Sequence, residues 1–276
     1  MKVQIITDSS ADLPSNFIER YNIQVVPLAI QFGSDTYLDQ VEISNHLFYQ
    51  KLHENDQLPK TSRPSPLAFK EAFLKGVEKG PVLCITLSSG LSGTYESALL
   101  AKKMLNQEIE VIDSLNASIG TGLQVIKACQ MAEEGLTLKE IRQEIISYRN
   151  NLKTYFTLDT LENIIKGGRL SSWEGAIGQV LNIKPVLYNQ ADGTIGTLEK
   201  VRGRKKSLRR LLELVEATGK DFSECTIGIT HARAQEEVSE LVEELNNNLR
   251  PKEIIVSELG PVIGTHTGFG TILLAL

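Results

Sequence analysis

Cysteine, aromatic residues and long apolar runs are scarce in this chain of 276 residues, and the scarcity excludes several classes of protein. The three cysteines, Cys84, Cys129 and Cys225, are odd in number and far apart, which argues against a disulfide framework and indicates reduced thiols. No apolar run approaches the roughly 18 residues of a membrane-spanning helix, and the N-terminus has no basic segment before an apolar signal core. We therefore expect a cytoplasmic protein.

The motifs of several enzyme classes are also missing. There is no Gly-x4-Gly-Lys-Ser/Thr loop, no His-Glu-x-x-His, no Cys-x-x-Cys and no kinase signature. Gly268-Phe269-Gly270 lacks the remaining glycine of a dinucleotide fingerprint, and His46, His53 and His231 share no metal-ligand spacing with His266. We predict no nucleotide, cofactor or metal site.

Charge is close to balanced, with 29 basic and 34 acidic residues and a formal net charge of −5. This balance argues against nucleic acid as a partner. Seven of the eleven residues from 200 to 210 are nevertheless basic, which indicates a docking surface for something negative. A solvated helix face is the alternative, because Leu208, Leu211, Leu212 and Val215 give the segment an apolar stripe.

Strand-like apolar runs alternate with helical patterns in the first half of the chain, and three of them end in polar loops. These loops are residues 7–10, residues 88–94 and Asp113-Ser114. Alternation of this kind predicts a parallel sheet, with all three loops at its carboxyl edge, where open α/β sheets bind ligands.

The second half has a different pattern. Strand-like runs at 183–188 and 194–201 are joined by a turn at Ala191-Asp192-Gly193, which predicts a hairpin and therefore a mixed sheet. The polar stretch Arg149-Asn150-Asn151 is the best candidate boundary. We interpret the chain as two α/β domains that meet at a cleft, residues 1–152 and residues 153–276.

Two segments rich in glycine and hydroxyl groups indicate a binding site. Residues 88–94 follow a strand-like run and precede a helix, so their N–H groups and hydroxyls predict an anion site. His266 lies in a second segment, residues 260–268, which we expect to be a loop near a cleft, where an imidazole can bind a carboxylate. The alternatives are a helix cap at Ser92 and a structural histidine.

A hydrolase is the competing interpretation of the same residues. Gly90-Leu91-Ser92-Gly93-Thr94 approaches the Gly-x-Ser-x-Gly nucleophile elbow, with Thr94 in place of the last glycine. Ser92, Asp113 and His266 also follow the hydrolase order of nucleophile, acid and base. A serine esterase or acyl hydrolase that uses Ser92 and His266 therefore stays open as an alternative.

An arginine follows two glycines at Gly167-Gly168-Arg169, where the backbone can bend. Its guanidinium is suited to a carboxylate or phosphate through paired N–H donors, although a turn with a solvated arginine is the alternative. The residues by themselves indicate an anion-binding cleft without obvious catalytic machinery.

Six motifs occur in order between residues 7 and 268 and span nearly the whole chain. They are Thr7-Asp8-Ser9-Ser10, Thr61-Ser62-x-Pro-Ser, Ser89-Gly90-Leu91-Ser92-Gly93-Thr94-Tyr95, Gly168-Arg169-Leu170-Ser171, Asn182-Ile183-Lys184-Pro185 and the segment around His266. Together they resemble the DegV family of bacterial fatty-acid-binding proteins. The resemblance implies a two-domain α/β fold that encloses one long-chain fatty acid, with the carboxylate at the cleft and the tail in an apolar tunnel.

The resemblance also implies the residues that bind the carboxylate. Thr61 and Ser92 match the hydroxyls that hold it, with Arg169 and His266 as nearby polar support. The remaining expected neighbours are Ser62, Gly93 and Thr94.

A carrier rather than an enzyme is implied, with no cofactor of its own. In systems with a fatty acid kinase, the kinase subunit brings ATP and magnesium, and the DegV-like subunit presents the acyl carboxylate for phosphorylation to an acyl phosphate. The expected docking residues are Arg202, Arg204 and Lys205. Nucleic acid is not an expected partner, membrane contact is at most transient, and a regulatory role of the basic segment stays open.

Overall fold

The structure, a computed structural model, describes residues 1–55, 57–170 and 183–276. The strands are β1 (Gln4–Asp8), β2 (Gln24–Val26), β3 (Ala29–Phe32), β4 (Asp35–Leu38), β5 (Lys60–Ser62), β6 (Val82–Thr86), β7 (Ile109–Asp113), β8 (Thr154–Thr157), β9 (Ile183–Asn189), β10 (Ile195–Arg202), β11 (Thr226–His231), β12 (Glu253–Glu258) and β13 (Ile272–Ala275). The helices are α1 (Ser15–Tyr21), α2 (Asn45–Glu54), α3 (Pro66–Val77), α4 (Thr94–Lys103), α5 (Ile119–Glu133), α6 (Leu138–Asn151), α7 (Glu162–Lys166), α8 (Arg204–Glu216), α9 (Gln235–Asn248) and α10 (Pro261–Thr267). Two motifs reach outside the described residues, at Ser171 and Asn182.

The predicted parallel sheet is confirmed, in the strand order β2-β1-β6-β7. Alternate side chains of its strands face opposite layers of helices. Leu83 and Ile85 pack with α5 and α6, whereas Val82 and Cys84 pack with α3 and α4. Because both faces are covered, every residue of β6 is buried, which is why this strand reads as an unbroken apolar run.

The three polar loops meet at the carboxyl edge of this sheet, as predicted. The backbone N–H of Leu87 donates to Asp8 Oδ2 at 2.8 Å, which ties the loop after β6 to β1. The N–H of Ser89 donates to Asp113 Oδ1 at 3.1 Å, which ties the same loop to β7.

The predicted mixed sheet is also confirmed, in the order β10-β9-β8-β13-β11-β12. Within it β11 and β12 are parallel, and the other neighbours are antiparallel. Helices α8 and α9 pack on one face, and α5 packs on the other. Helix α5 thus lies between the two sheets, and a Cβ on Gly228 of β11 would be 2.5 Å from Ile119 Cγ1.

Strand β5 is not predicted by the sequence pattern. Lys60–Ser62 pairs with β3 in the antiparallel sheet β4-β3-β5, because β3 offers an edge that local sequence does not reveal. The expectation for the segment around His266 was wrong. His266 lies on a short helix, not in a loop. Pro261 fits the first turn of α10, and Gly268, at φ 74°, ends it.

No helix in the described ranges is both long and apolar enough to cross a membrane. The three cysteines are free thiols, and Cys84 and Cys129 are buried.

Candidate functional site

A cavity of about 270 Å³ lies between the two halves of the chain, close to the lower end of the range for small-molecule sites. We call it the first cavity. Its walls are mainly apolar, and the side chains that form them include Leu28, Leu87, Phe156, Val262 and Leu273. An apolar ligand that enters it is therefore removed from water on both sides.

Six of the seven predicted carboxylate-binding residues line the first cavity: Thr61, Ser62, Ser92, Gly93, Arg169 and His266. The seventh, Thr94, is buried next to it, and its hydroxyl is 2.9 Å from Ser92 Oγ. Residues more than 200 positions apart thus share one wall, as shown by the hydrogen bond between Thr61 and His266.

Strand β5 and helix α10 place Thr61 and His266 against each other, with 2.9 Å between Thr61 Oγ1 and His266 Nε2. Burial, and to a smaller extent the positive charge of Arg169, lower the pKa of His266 to about 4. The imidazole is therefore neutral at physiological pH. A Cβ on Gly167 would be 2.4 Å from Nδ1, so this position needs glycine.

The hydrogen-bond partners of His266 favour one tautomer. Among the described residues, buried Nδ1 has no hydrogen-bond partner. A buried N–H group without an acceptor costs more than a buried unprotonated nitrogen without a donor. The proton therefore belongs on Nε2, which donates it to Thr61 Oγ1. Thr61 then keeps its own hydroxyl proton for a ligand in the first cavity.

The loop before α4 contributes Ser92. The N–H of Ser92 donates to Ser88 O at 3.1 Å, which bends the loop, and Gly93 precedes the helix without a side-chain cap bond. Ser92 is therefore not a helix cap. Its hydroxyl lies near the positive end of the α4 dipole, which favours an anion.

Arg169 is half-buried and links two segments of the wall. Its Nε donates to Leu91 O at 3.3 Å, and its Nη1 donates to Gly167 O. Burial lowers the pKa of Arg169, but an arginine stays charged. The first cavity thus has a fixed positive charge beside its hydroxyl groups.

The hydrogen bonds of a hydrolase triad are not formed. His266 Nε2 bonds Thr61, and Ser92 Oγ bonds Thr94. Asp113 Oδ1 accepts from the backbone N–H groups of Ser89 and Leu115. Each of the three side chains has a different partner from the one that the esterase alternative requires.

Sequence reasoning missed Arg63 as a residue of the site. It lines the first cavity, and its Nη1 donates to Gly93 O at 3.0 Å. A Cβ on Gly93 would meet the same nitrogen, so a larger residue at this position would displace the exposed Arg63 side chain. The available signal was its place directly after Thr61 and Ser62.

The basic segment is less free than the sequence indicated. Arg204 is only 17% exposed in its side chain and pairs with Glu237 through two contacts, of 2.9 and 2.6 Å. Arg204 was expected to contact a partner, but its guanidinium is already paired with a carboxylate of this chain. Arg202 and Lys205 are exposed and have no ion-pair partner in the described part of the chain.

The fold and the first cavity define an α/β protein with a parallel sheet and a mixed sheet. It encloses a mainly apolar cavity with hydroxyl groups and two arginines, Arg63 and Arg169, in its wall. The model of the DegV family, described as uncharacterised proteins, matches residues 2–276. The chain belongs to the DegV family.

Related proteins are similar to this chain over nearly their full length. A DegV domain-containing protein from Caldanaerobacter subterraneus subsp. tengcongensis is 38% identical over 97% of this chain and 95% of its own. A solved DegV family protein from Thermus thermophilus, described by its fatty acid binding, is 32% identical with a TM-score of 0.93, over 100% of this chain and 99% of its own. A solved stearic-acid-binding protein from Eubacterium ventriosum is 27% identical with a TM-score of 0.91, over 99% and 97%.

Proposed function

We propose that this protein is a non-catalytic carrier that binds one long-chain fatty acid in the first cavity. The observation that carries the proposal is a mainly apolar cavity whose wall also holds Thr61, Ser92, Arg169 and His266. Solved relatives that bind fatty acids share this fold and support the same function.

The energetics of such a ligand suit these walls. A tail of about a dozen methylenes contributes on the order of 10 kcal/mol at roughly 0.8 kcal/mol per methylene, before ordering costs. The apolar wall then supplies most of the affinity, while the hydroxyls of Thr61 and Ser92 fix the position of the carboxylate. Arg169 balances its charge.

The test is direct. We expect extraction of the denatured, gently purified protein to release a long-chain fatty acid, and palmitate to raise the melting temperature of delipidated protein. Ser92→Ala is expected to weaken palmitate binding, whereas Ser239→Ala, an exposed serine on α9, is the matched control. Failure to release or bind a fatty acid contradicts the carrier. A burst of product from an ester substrate that Ser92→Ala abolishes instead supports the esterase.

The finer part of the proposal is that the protein presents the carboxylate to a fatty acid kinase in the cytoplasm. Hydroxyl donors stabilise a carboxylate without the full charge that blunts its nucleophilicity, which suits a phosphate acceptor. Exposed Arg202 and Lys205 offer a surface for a negatively charged partner.

Charge reversal tests the partner surface. Arg202→Glu with Lys205→Glu is expected to abolish phosphorylation of the bound acid by a fatty acid kinase subunit and to leave palmitate binding unchanged. Lys103→Glu, an exposed change on α4, serves as the matched control. Unchanged phosphorylation in the double variant contradicts this docking surface.

We also propose the domain division at residue 152. Residues from both sides of it line the first cavity, so a fatty acid would bridge the two domains. Stronger resistance to proteolysis near residue 152 in the palmitate-bound protein is the expected result.

A further inference from the structure

A second cavity, of about 540 Å³, is not used by the proposed function. The loop after β1, the start of α1, the loop after β4 and the end of β12 line it. Four acids contribute to its wall, Asp8, Asp12, Asp39 and Glu258, and no described residue in the wall is a lysine, arginine or histidine. Such a wall has a negative potential that attracts cations.

Two of the four carboxylates accept hydrogen bonds from the protein, and a third, Glu258, forms an ion pair with Arg233 at 3.4 Å. Asp8 Oδ2 accepts from the N–H of Leu87 at 2.8 Å. Asp12 accepts from the N–H of Gly260 at 3.0 Å and from the hydroxyl of Ser118 at 2.6 Å. These two side chains are held in place and need no ligand to satisfy them.

Asp39 is different. It is 1% exposed, and neither carboxylate oxygen has a hydrogen-bond partner among the described residues. Ser9 and the backbone of Gln40 lie near enough to affect the pKa of Asp39, but neither forms a hydrogen bond of ordinary geometry with its carboxylate. A buried carboxylate without a donor is costly, so this one calls for a cation or a proton.

The arrangement limits the kind of cation. No three His, Cys, Asp or Glu side chains in the described ranges are placed to hold a metal ion together, which argues against a cage made only of protein ligands. The second cavity has room for several water molecules, since each occupies about 30 Å³ in the liquid. Magnesium usually keeps several of its waters and needs only one or two carboxylates.

We propose that the second cavity binds one hydrated divalent cation, with Asp39 as its direct ligand and Asp8 and Asp12 in contact through water. The proposal is independent of the fatty acid, because Asp39 and its neighbours line a cavity that shares no residue with the first.

The full chain, freed of metal with a chelator, is titrated with MnCl2 while electron paramagnetic resonance measures free Mn²⁺. We expect one Mn²⁺ per chain, which MgCl2 displaces and NaCl of equal ionic strength does not. Asp39→Asn is expected to weaken binding at least tenfold. Glu240→Gln, which removes an exposed charge from α9, is expected to bind like the unmodified protein.

A second variant tests the same site even if Asp39→Asn does not fold. Val41 lines the second cavity and is 68% exposed, so Val41→Lys adds a competing ammonium group without disturbing the core. It is expected to weaken Mn²⁺ binding at least tenfold, whereas Leu198→Lys on β10 leaves it unchanged. No saturable Mn²⁺ binding, or equal binding by both lysine variants, overturns the proposal. Palmitate binding is measured alongside, and its retention in Asp39→Asn separates this site from the first cavity.

Discussion

The two cavities of this protein differ in the charge and the hydrogen bonding of the polar groups in their walls. In the first cavity the hydroxyl and imidazole groups are neutral and hydrogen-bonded, and Arg63 and Arg169 carry the charge. In the second, carboxylates are concentrated, and Asp39 has no hydrogen-bond donor among the described residues. The first wall suits an anion with an apolar body, and the second suits a cation.

Helix α10 lines the first cavity, and the residue before it bonds to a carboxylate of the second. The N–H of Gly260, directly before α10, donates to Asp12 beside the second cavity. His266, near the other end of α10, lines the first cavity. The chain thus passes from a hydrogen bond with Asp12 to the wall of the first cavity within about two turns of helix.

The largest expected effect concerns Asp39. Burial raises its pKa from 3.8 to about 7, so the folded protein binds a proton that the unfolded chain has lost, and stability falls as the pH rises from about 4 to about 7. The penalty at pH 8 is on the order of 4 kcal/mol. In metal-free buffer, Asp39→Asn should be more stable than the unmodified protein at pH 8 but not at pH 4, as measured by urea unfolding. An equal difference at both values contradicts the unpaired carboxylate.

His266 should show the opposite dependence. Its pKa is lowered to about 4 by burial and by Arg169, so the unfolded chain gains a proton first as the pH falls. The resulting loss of stability runs from about pH 6.5 to about pH 4 and amounts to about 3 kcal/mol. His266→Gln should remove this loss, with His53→Gln, on α2, as the control. The same acid sensitivity in His266→Gln contradicts a buried neutral imidazole.

Arg169→Met tests the charge of the first cavity. Loss of a hydrogen bond between charged groups costs about 1.5–3 kcal/mol, so palmitate should bind roughly 10- to 150-fold more weakly. The pKa of His266, followed by nuclear magnetic resonance, should rise because the neighbouring positive charge is gone. Arg209→Met, at an exposed position on α8, is the control. Unchanged palmitate affinity argues that the carboxylate lies elsewhere.

The smallest expected effect is structural. Ser118 donates to Asp12 Oδ2 at 2.6 Å, and its oxygen lies 2.9 Å from Thr230 Oγ1, so it joins the two halves of the chain behind the second cavity. Ser118→Ala should lower the free energy of unfolding by about 1–3 kcal/mol, because it leaves buried partners unsatisfied. Urea unfolding measures this, and Ser239→Ala should change it by less than about 0.5 kcal/mol. Palmitate affinity is expected to stay the same in both.

Much of the fold was predictable from the sequence, because the spacing of apolar residues indicates which side chains are buried. The apolar run of β6 predicted a strand of the parallel sheet, and the turn before β10 predicted the hairpin with β9. Strand β13 was missed. It enters the middle of the mixed sheet between β8 and β11, a pairing of residues far apart in the chain that no local pattern shows.

The candidate site was predictable as a set of residues but not as an arrangement. Glycine-rich patterns indicated Ser92, Arg169 and His266, the family resemblance added Thr61, and these residues do line one cavity. The contacts of these residues depend on segments that are distant in the chain. Thr61 reaches His266 because β5 adds to the edge of β3, whereas Arg204 pairs with Glu237 on α9 and is therefore less available to a partner.

Local sequence patterns were enough to predict the alternation of strands and helices, the parallel and mixed sheets, and the residue types available to bind an anion. These depend on the spacing of apolar side chains and on local turn chemistry. The lowered pKa of His266, the burial of Asp39 without a donor among the described residues and the pairing of Arg204 become visible only in the folded chain. The reason is physical, because the desolvation and pairing of a polar group depend on which distant segments pack around it.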